Sequence, residues 1–444
     1  MHSSDSHLPD AKMLRHLRHG VIHDARLPFG SAFVDRFILS NGLRVLVMED
    51  HSAPIAAMYT GIGVGSRHER DGKTGLAHLL EHLMFGGENG STQFESAVDA
   101  LGGRCNAFTW YDMTCFQTEV PSRAILDIIR IESERMREFR ADPDDLAREL
   151  EIVLSERRMR VDDEPVGRMV EESMALLFQD HTYGRPIIGT ANDIKSLDMT
   201  DIRGFFDGYY RPNNMVLTFA GDIDTMEIIE SVQAGFGALK SAPSSVEDVR
   251  PEFPRNRELV RAIDADLASR VWVGYIVPGS GDRLDHLAMV VLDQVLFGGR
   301  IGRGYRHLVS SERSIATNSS SQHIALAHYG AYWVSMQPRE GHSLDDLIDG
   351  LDDCIRELKQ NPISQDEIDM ARAQFEVDGF GALERCGYRA QAMGGGELIH
   401  GSPTLLVDDL AAIRHIRPGD ILRVARRYLH NPERVVMKIG KDGK

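Results

Sequence analysis

The stretch Gly75-Leu-Ala-His-Leu-Leu-Glu-His-Leu-Met-Phe-Gly-Gly87 decides how the rest of the chain is interpreted. Its apolar residues recur at helical spacing, and the glycines at its end are typical of a helix stop. At 3.6 residues per turn, His78, Glu81 and His82 lie on one face of that helix. Two neutral imidazoles and one further protein ligand would form an open zinc site with a general base beside it. The order H-x-x-E-H is that of an inverted zinc motif, but two surface histidines near an unrelated glutamate give the same pattern.

Composition limits the classes of protein that the chain can represent. Its 444 residues are too many for one ordinary core, which predicts two or three domains. The contents of 42% hydrophobic and 26% charged residues are typical of a soluble globular protein. A net charge of −17 argues against nucleic acid and against an anionic membrane surface as partners. The four cysteines lack the spacing of a disulfide framework, and no stretch approaches a membrane span, so we expect a cytoplasmic protein.

The order of strand and helix patterns predicts an α+β fold in two parts. Residues 1–33 are expected to be a flexible leader, and residues 34–239 to form the first domain. The Ser-, Pro- and charge-rich residues 240–257 are expected to be a linker, and residues 258–444 to form the second domain. The glycines at 394–396 indicate a break between helices.

One local repeat relates the two parts. Residues 83–87 (LMFGG) resemble residues 295–299 (VLFGG), an offset of 212 from residue 83 to residue 295. At this offset the two histidines and the glutamate of the first copy are replaced by Val290, Gln294 and Asp293. A duplicated unit with potential metal ligands in only one copy is what a fold with a single functional site predicts.

A third metal ligand is expected from the charged helical segment at 143–160. Glu149 and Glu156 are seven residues apart and therefore share a face two turns long. At an offset of 218, from residue 149 to residue 367, they match Glu367 and Gln374. The physics of the sequence alone does not choose between Glu149 and Glu156, and pairing with nearby arginines is the alternative for both.

Further motifs accompany the histidine stretch in a fixed order. They are Gly61-x-Gly63, Gly65-Ser66-Arg67-x-Glu69, Asn106-Ala107-Phe108-Thr109, Glu149-x6-Glu156, Tyr183-Gly-Arg-Pro186 and Tyr210-Arg-Pro-Asn-Asn214. In combination they resemble the inverted-zincin peptidases, the family of pitrilysin, insulin-degrading enzyme and mitochondrial processing peptidase. The second half resembles the inactive repeat of that family. The resemblance implies two homologous α/β-sandwich domains, each a mixed or antiparallel sheet covered by helices, with the metal site in the first only.

The resemblance also implies roles for individual residues. His78, His82 and Glu156 match the zinc ligands, and Glu81 matches the general base of a zinc-dependent endopeptidase that acts on short or unfolded peptides. Glu149 matches a second glutamate that supports catalysis without binding the metal.

For the substrate, the resemblance points to both halves of the chain. Asn106, Ala107 and Phe108 match an edge strand on which an extended peptide lies, and Arg303 matches an arginine that grips the substrate. Thr317 stands where the family has a tyrosine. The sequence leaves two replacements open, either Tyr305 or Tyr329 of this chain, or a partner chain.

A two-domain chain is half of the four-domain chamber that larger members of the family form. We therefore expect a homodimer or a heterodimer with a homologous subunit. The alternatives are a zinc-bearing subunit that is active only with its partner, and a non-catalytic structural subunit. The retention of all the matched ligands favours an enzyme.

Overall fold

The computed structural model describes residues 20–86, 92–137, 139, 141–242, 258–264, 266–312, 314–361, 363–430 and 433–440. Within these ranges the chain forms two compact units. Unit 1 comprises residues 1–154, 187–248 and 380–408, and unit 2 comprises residues 155–186, 249–379 and 409–444, apart from the undescribed positions in each. Each unit contains one sheet with helices packed on it, as predicted for an α+β fold.

Twelve strands are present in the described ranges. They are β1 (Val21–Phe29), β2 (Ala32–Leu39), β3 (Arg44–Glu49), β4 (Ile55–Ile62), β5 (Arg104–Thr109), β6 (Thr114–Pro121), β7 (Met215–Gly221), β8 (Leu259–Asp264), β9 (Arg270–Pro278), β10 (Ala316–Ala325), β11 (Tyr329–Pro338) and β12 (Arg434–Gly440).

Fifteen α-helices are present in the same ranges. They are α1 (Leu76–Gly86), α2 (Thr92–Ala100), α3 (Ile125–Arg137), α4 (Pro143–Arg157), α5 (Pro165–Phe178), α6 (Ala191–Ser196), α7 (Met199–Tyr209), α8 (Thr225–Phe236), α9 (Arg283–Phe297), α10 (Arg303–Leu308), α11 (Leu344–Gln360), α12 (Gln365–Leu383), α13 (Cys386–His400), α14 (Leu405–Ala412) and α15 (Pro418–Tyr428). A π-helical turn, Arg158–Asp162, continues α4. Measured over the described residues, no helix has the length and apolar character that crossing a bilayer requires.

The sheet topologies demonstrate the duplication. In unit 1 the strand order is β1-β2-β3-β7-β4-β6-β5, and in unit 2 it is β10-β11-β9-β12-β8. Read from the edge, β5-β6-β4-β7-β3 and β10-β11-β9-β12-β8 are the same order, and in each sheet only the last pair is parallel. The predicted pair of homologous α/β units is therefore confirmed, with β1 and β2 as an addition to unit 1.

The strand β1 corrects the predicted leader. Residues 1–33 were expected to lack regular structure, but Val21–Phe29 pairs with β2 in an antiparallel hairpin. Its side chains alternate between more and less exposed positions, because one face of the strand lies against the unit and the other faces solvent. Residues 1–19, and residues 243–257 of the predicted linker, lie outside the described part of the chain.

The two units exchange helices, so they differ from the continuous ranges 34–239 and 258–444. Helix α13 belongs to unit 1, where it packs on β4 and β7, and α5 packs on β9 and β12 of unit 2. The reason lies in the sheet of unit 1, whose apolar face around Tyr59 is buried by Ala390 and Met393 of α13. Burial of such a surface stabilises the fold by about 25 cal/mol per Å².

The glycines at 394–396 do not break a helix, as the sequence predicted, but lie inside α13. A Cβ atom on Gly394 would lie 2.3 Å from the Tyr59 ring. Glycine at this position therefore lets the helix backbone approach the sheet, which local sequence patterns do not reveal.

Candidate active site

Helix α1 is fixed at its N-terminus by the buried side chain of Glu69. Its carboxylate accepts hydrogen bonds from the backbone N–H of Gly75, at 3.0 Å, and of Ala77, at 2.8 Å. The first N–H groups of a helix have no partner within the helix, and a negative charge there also complements the helix dipole. Gly75 has a φ of +88°, and a Cβ there would lie 2.6 Å from the carbonyl oxygen of Ile188. The start of the helix therefore requires glycine.

The C-terminal end of α1 is held by the buried Arg135. One Nη1 hydrogen bond reaches the carbonyl oxygen of Met84 at 3.2 Å, and Nε donates to Glu132 at 2.8 Å. The guanidinium carbon also lies over the rings of Phe94 and Phe116, 4.3 and 4.2 Å from their centroids. A cation at this end complements the dipole, so both ends of α1 are fixed.

The structure brings three of the sequence-predicted residues together. One ligand atom from each of His78, His82 and Glu156 lies within 4.8 Å of the other two. The histidines lie on α1 and Glu156 lies in the last turn of α4, one continuous helix of 15 residues. Two imidazole nitrogens and a carboxylate oxygen are the donor set of open zinc sites, so the residues present fit a zinc ion.

Glu149 lies behind His82 and outside this group of three. Its Oε2 is 3.4 Å from Nδ1 of His82, and the carboxylate is buried. A carboxylate at Nδ1 fixes the orientation of the ring and directs Nε2 towards a metal. The two glutamates that the sequence left as alternatives therefore lie in different positions relative to the histidines.

Glu81 is buried and bonded to the strand β5. Thr109, the last residue of β5, donates its hydroxyl to Oε2 of Glu81 at 2.6 Å. Burial, followed by the charge of Glu81, raises the pKa of the Cys115 thiol and of the Tyr210 phenol. Both groups are therefore neutral near pH 7 and do not add charge around the carboxylate.

The predicted substrate strand is at an edge of the sheet of unit 1. Asn106, Ala107 and Phe108 lie in β5, which pairs with β6 and has no second neighbour among the described strands. The backbone on the other side of β5 is therefore in a position where an added strand could pair.

Arg303 lies in unit 2, where it forms a bidentate ion pair with Glu367. Both nitrogen–oxygen distances are 2.7 Å. The guanidinium holds the pKa of Glu367 at about 2. Thr317 is exposed on β10, Tyr305 is partly exposed on α10, and Tyr329 is buried at the start of β11.

Unit 2 contains a counterpart of the site without imidazoles. Asp293 accepts hydrogen bonds from Ser321 and Tyr332, and Ser321 follows Thr109 by the same 212 residues that separate Asp293 from Glu81. Burial raises the pKa of Asp293. A cavity of about 650 Å³ remains, and its lining includes Asp293, Gln294, Ser321, Glu367 and Gln374.

Comparison with known proteins gives matches along most of the chain. Residues 44–191 match the family described as insulinase (peptidase family M16), and residues 196–375 match the peptidase M16 inactive domain. An uncharacterized zinc protease of Streptomyces coelicolor is 30% identical over 418 residues, which cover 90% of this chain and 88% of that protein. The mitochondrial-processing peptidase subunit beta of Blastocladiella emersonii is 24% identical, over 90% of this chain and 87% of the subunit.

A solved structure matches the fold of this chain over a similar share of its length. The crystal structure of a protease from Helicobacter pylori superposes with a TM-score of 0.83 at 24% identity, over 92% of this chain and 99% of that one. The duplicated α+β units and the matches to both halves define a two-domain peptidase. The chain belongs to peptidase family M16, as its motifs predicted.

Sequence reasoning missed one residue that fixes the site and gave no role to two others. Glu69 and Thr109 stand in the motifs that carried the resemblance, and Arg135 was not singled out. A glutamate a few residues before a glycine that begins a helix is a sequence signal for a cap. The local partner Glu132 does not identify this role of Arg135, because Phe94, Phe116 and Met84, which relate it to the site, are distant in sequence.

Proposed function

We propose that the chain is a zinc-dependent endopeptidase that hydrolyses short or unfolded peptides. The observation that carries this proposal is the convergence of His78, His82 and Glu156 beside a buried glutamate, Glu81. The Streptomyces coelicolor relative is named a zinc protease and the Blastocladiella emersonii relative a processing peptidase subunit, and both names support it.

In this mechanism the three ligands hold the metal, and Glu149 orients His82. A bound Zn²⁺ ion supplies Lewis acidity, which makes water a better nucleophile and a peptide carbonyl a better electrophile near neutral pH. Glu81 accepts the proton of the attacking water and returns it to the leaving amine. Proton transfer by a positioned carboxylate contributes typically about 10²–10⁴-fold to the rate.

The peptide is proposed to lie along β5 as an added strand, contacting Asn106, Ala107 and Phe108. Pairing through backbone groups gives affinity without strong side-chain selection, which suits varied unfolded peptides. Arg303 is proposed as a second contact with the peptide, and the ion pair with Glu367 orients its guanidinium.

The test is a measurement of metal content together with peptide cleavage. The purified chain is expected to contain about one zinc per chain and to cleave an unstructured peptide library, with loss of cleavage in a chelator and recovery on adding Zn²⁺. Cleavage that a chelator does not affect would contradict the proposal. A folded protein that binds zinc and leaves every peptide intact would favour a non-catalytic subunit.

We further propose that activity requires a second chain, either a copy or a homologue. Thr317 is too short to replace a tyrosine, and Tyr329 is buried, which leaves Tyr305 or a partner as the source of a phenol. The relative named as a subunit supports the idea. Light scattering coupled to size exclusion is expected to give a dimer. A monomer with full activity would contradict it.

A further inference from the structure

The hydrogen bond between Thr109 and Glu81 joins two elements with different tasks in the proposed function. Thr109 ends β5, the strand proposed to receive the peptide, and Glu81 lies on α1 between the two histidines. Their side chains are buried, with 7% and 9% of each residue exposed. The bond therefore connects the proposed substrate strand directly to the proposed base.

Both ends of this connection are themselves fixed. Helix α1 is held at its start by Glu69 and at its end by Arg135. Strand β5 pairs with β6 along its whole length, up to Thr109 opposite Thr114. A threonine is restricted at χ1, so its hydroxyl has few directions available, whereas a glutamate has three rotatable side-chain bonds.

The internal repeat provides a second hydroxyl–carboxylate bond, in a unit that lacks the two histidines. In unit 2 Ser321 donates to Asp293 at the equivalent positions, but Val290 and Gln294 replace the histidines. The hydroxyl–carboxylate bond there connects a strand to a helix without a metal group beside it. Unit 2 thus contains a matched structural control for the bond in unit 1.

We propose that Thr109 is a positioning residue for Glu81, and that its hydroxyl holds the carboxylate in the orientation that accepts the proton of the attacking water. This inference rests on the proposed peptidase function. Because Thr109 is on β5, the same bond also sets the base relative to a peptide paired with that strand. A catalytic group must be held within about 0.5 Å of its productive position, and hydrogen bonds from neighbouring side chains contribute to holding it there.

The experiment compares four variants of the full-length protein with the wild type. Thr109→Val and Thr109→Ala remove the hydroxyl, Thr109→Ser keeps it, and Ser321→Ala removes its counterpart in unit 2. For each we would measure zinc content, melting temperature, and kcat and KM on one peptide. A crystal structure of Thr109→Val would show the orientation of Glu81 independently of activity.

We expect both variants without the hydroxyl to bind zinc and to keep KM within about twofold. Their kcat should fall about 10–100-fold, which is at or below the lower end of the full contribution of proton transfer, because Glu81 itself remains. Thr109→Ser restores kcat, and Ser321→Ala leaves it unchanged. In the crystal structure of Thr109→Val, we expect the Glu81 carboxylate to be rotated or to occupy more than one conformer.

Two results would overturn the inference while leaving the peptidase function intact. They are a wild-type kcat in both variants without the hydroxyl, and a Thr109→Ser variant as impaired as Thr109→Val. If the wild type itself shows no zinc-dependent cleavage, the result contradicts the proposed peptidase function and, with it, the proposed role of Thr109. If Thr109→Val does not fold, Thr109→Ala and Thr109→Ser decide the question.

Discussion

At the scale of single residues, two polar groups of the site have a neighbour that limits their orientation. The Glu149 carboxylate lies beside Nδ1 of His82, and Thr109 donates a hydrogen bond to Oε2 of Glu81. Glu149 and Glu156 are both on α4, but only Glu156 joins the histidines. The sequence showed that these glutamates share a helix face. It could not show which of them lies with both histidines, because that depends on how α4 lies against α1.

The first prediction concerns Glu149. Glu149→Gln should weaken zinc affinity about 10–100-fold, because the ring of His82 loses its charged partner. The control is Glu151→Gln, which changes an exposed glutamate of the same helix and should leave affinity unchanged. Competition with a chelating dye measures both. Equal affinities in the two variants would show that Glu149 does not orient the ligand.

The second prediction concerns the pH dependence of stability through Glu367. In the folded protein the ion pair with Arg303 holds the pKa of Glu367 at about 2, against about 4.3 for an unperturbed glutamate. A depressed pKa stabilises the fold above the unfolded value, and that contribution is lost as pH falls from about 4.3 towards 2.

Denaturant unfolding of the wild type and of Glu367→Gln at several pH values tests this. The gap in free energy of unfolding should be widest above pH 5 and should narrow as the pH approaches 2. A gap that stays constant over this range would mean that Glu367 has no depressed pKa.

At the scale of elements, α1 is a short helix whose ends are capped by residues outside it. Its apolar periodicity and the following glycines made it predictable from sequence. The caps were not predictable in the same way, because Arg135 lies on α3, far along the chain from Met84. Strand pairs joined by short turns could likewise be predicted from the sequence. Strand β1 could not, because its alternation of polar and apolar residues is weak.

The third prediction is that Glu69→Ala lowers the free energy of unfolding by about 2–3 kcal/mol, because two N–H groups lose a charged acceptor. Glu95→Ala, which removes an exposed acid from the first turn of α2, should cost less than about 0.5 kcal/mol. Chemical denaturation of both variants compares them. If Glu69→Ala matches Glu95→Ala, the buried carboxylate does not cap α1.

At the scale of the whole molecule, the chain is a duplication in which each unit is completed by a helix from the other half of the sequence. The local matches at offsets of 212 and 218 were enough to predict the duplication. They could not predict the exchange of α5 and α13, because burial of a sheet face depends on contacts far apart in sequence. The cytoplasmic setting stays a prediction.

The fourth prediction tests how α13 packs in unit 1. Gly394→Ala places a methyl group against Tyr59 and should lower the free energy of unfolding by about 1–3 kcal/mol. The neighbouring Gly395 has open space around a Cβ, so Gly395→Ala should be neutral or stabilising by up to about 1 kcal/mol. Thermal unfolding of the two variants gives the comparison. A stabilising Gly394→Ala would contradict the close approach of helix and sheet.

The most direct test of the central claim is the Glu81→Gln variant measured beside the wild type for zinc content and peptide cleavage. If His78, His82 and Glu156 hold zinc and Glu81 is the general base, the variant keeps about one zinc per chain and its kcat falls by about 10²–10⁴. A Glu81→Gln protein that cleaves peptides at the wild-type rate would contradict the account.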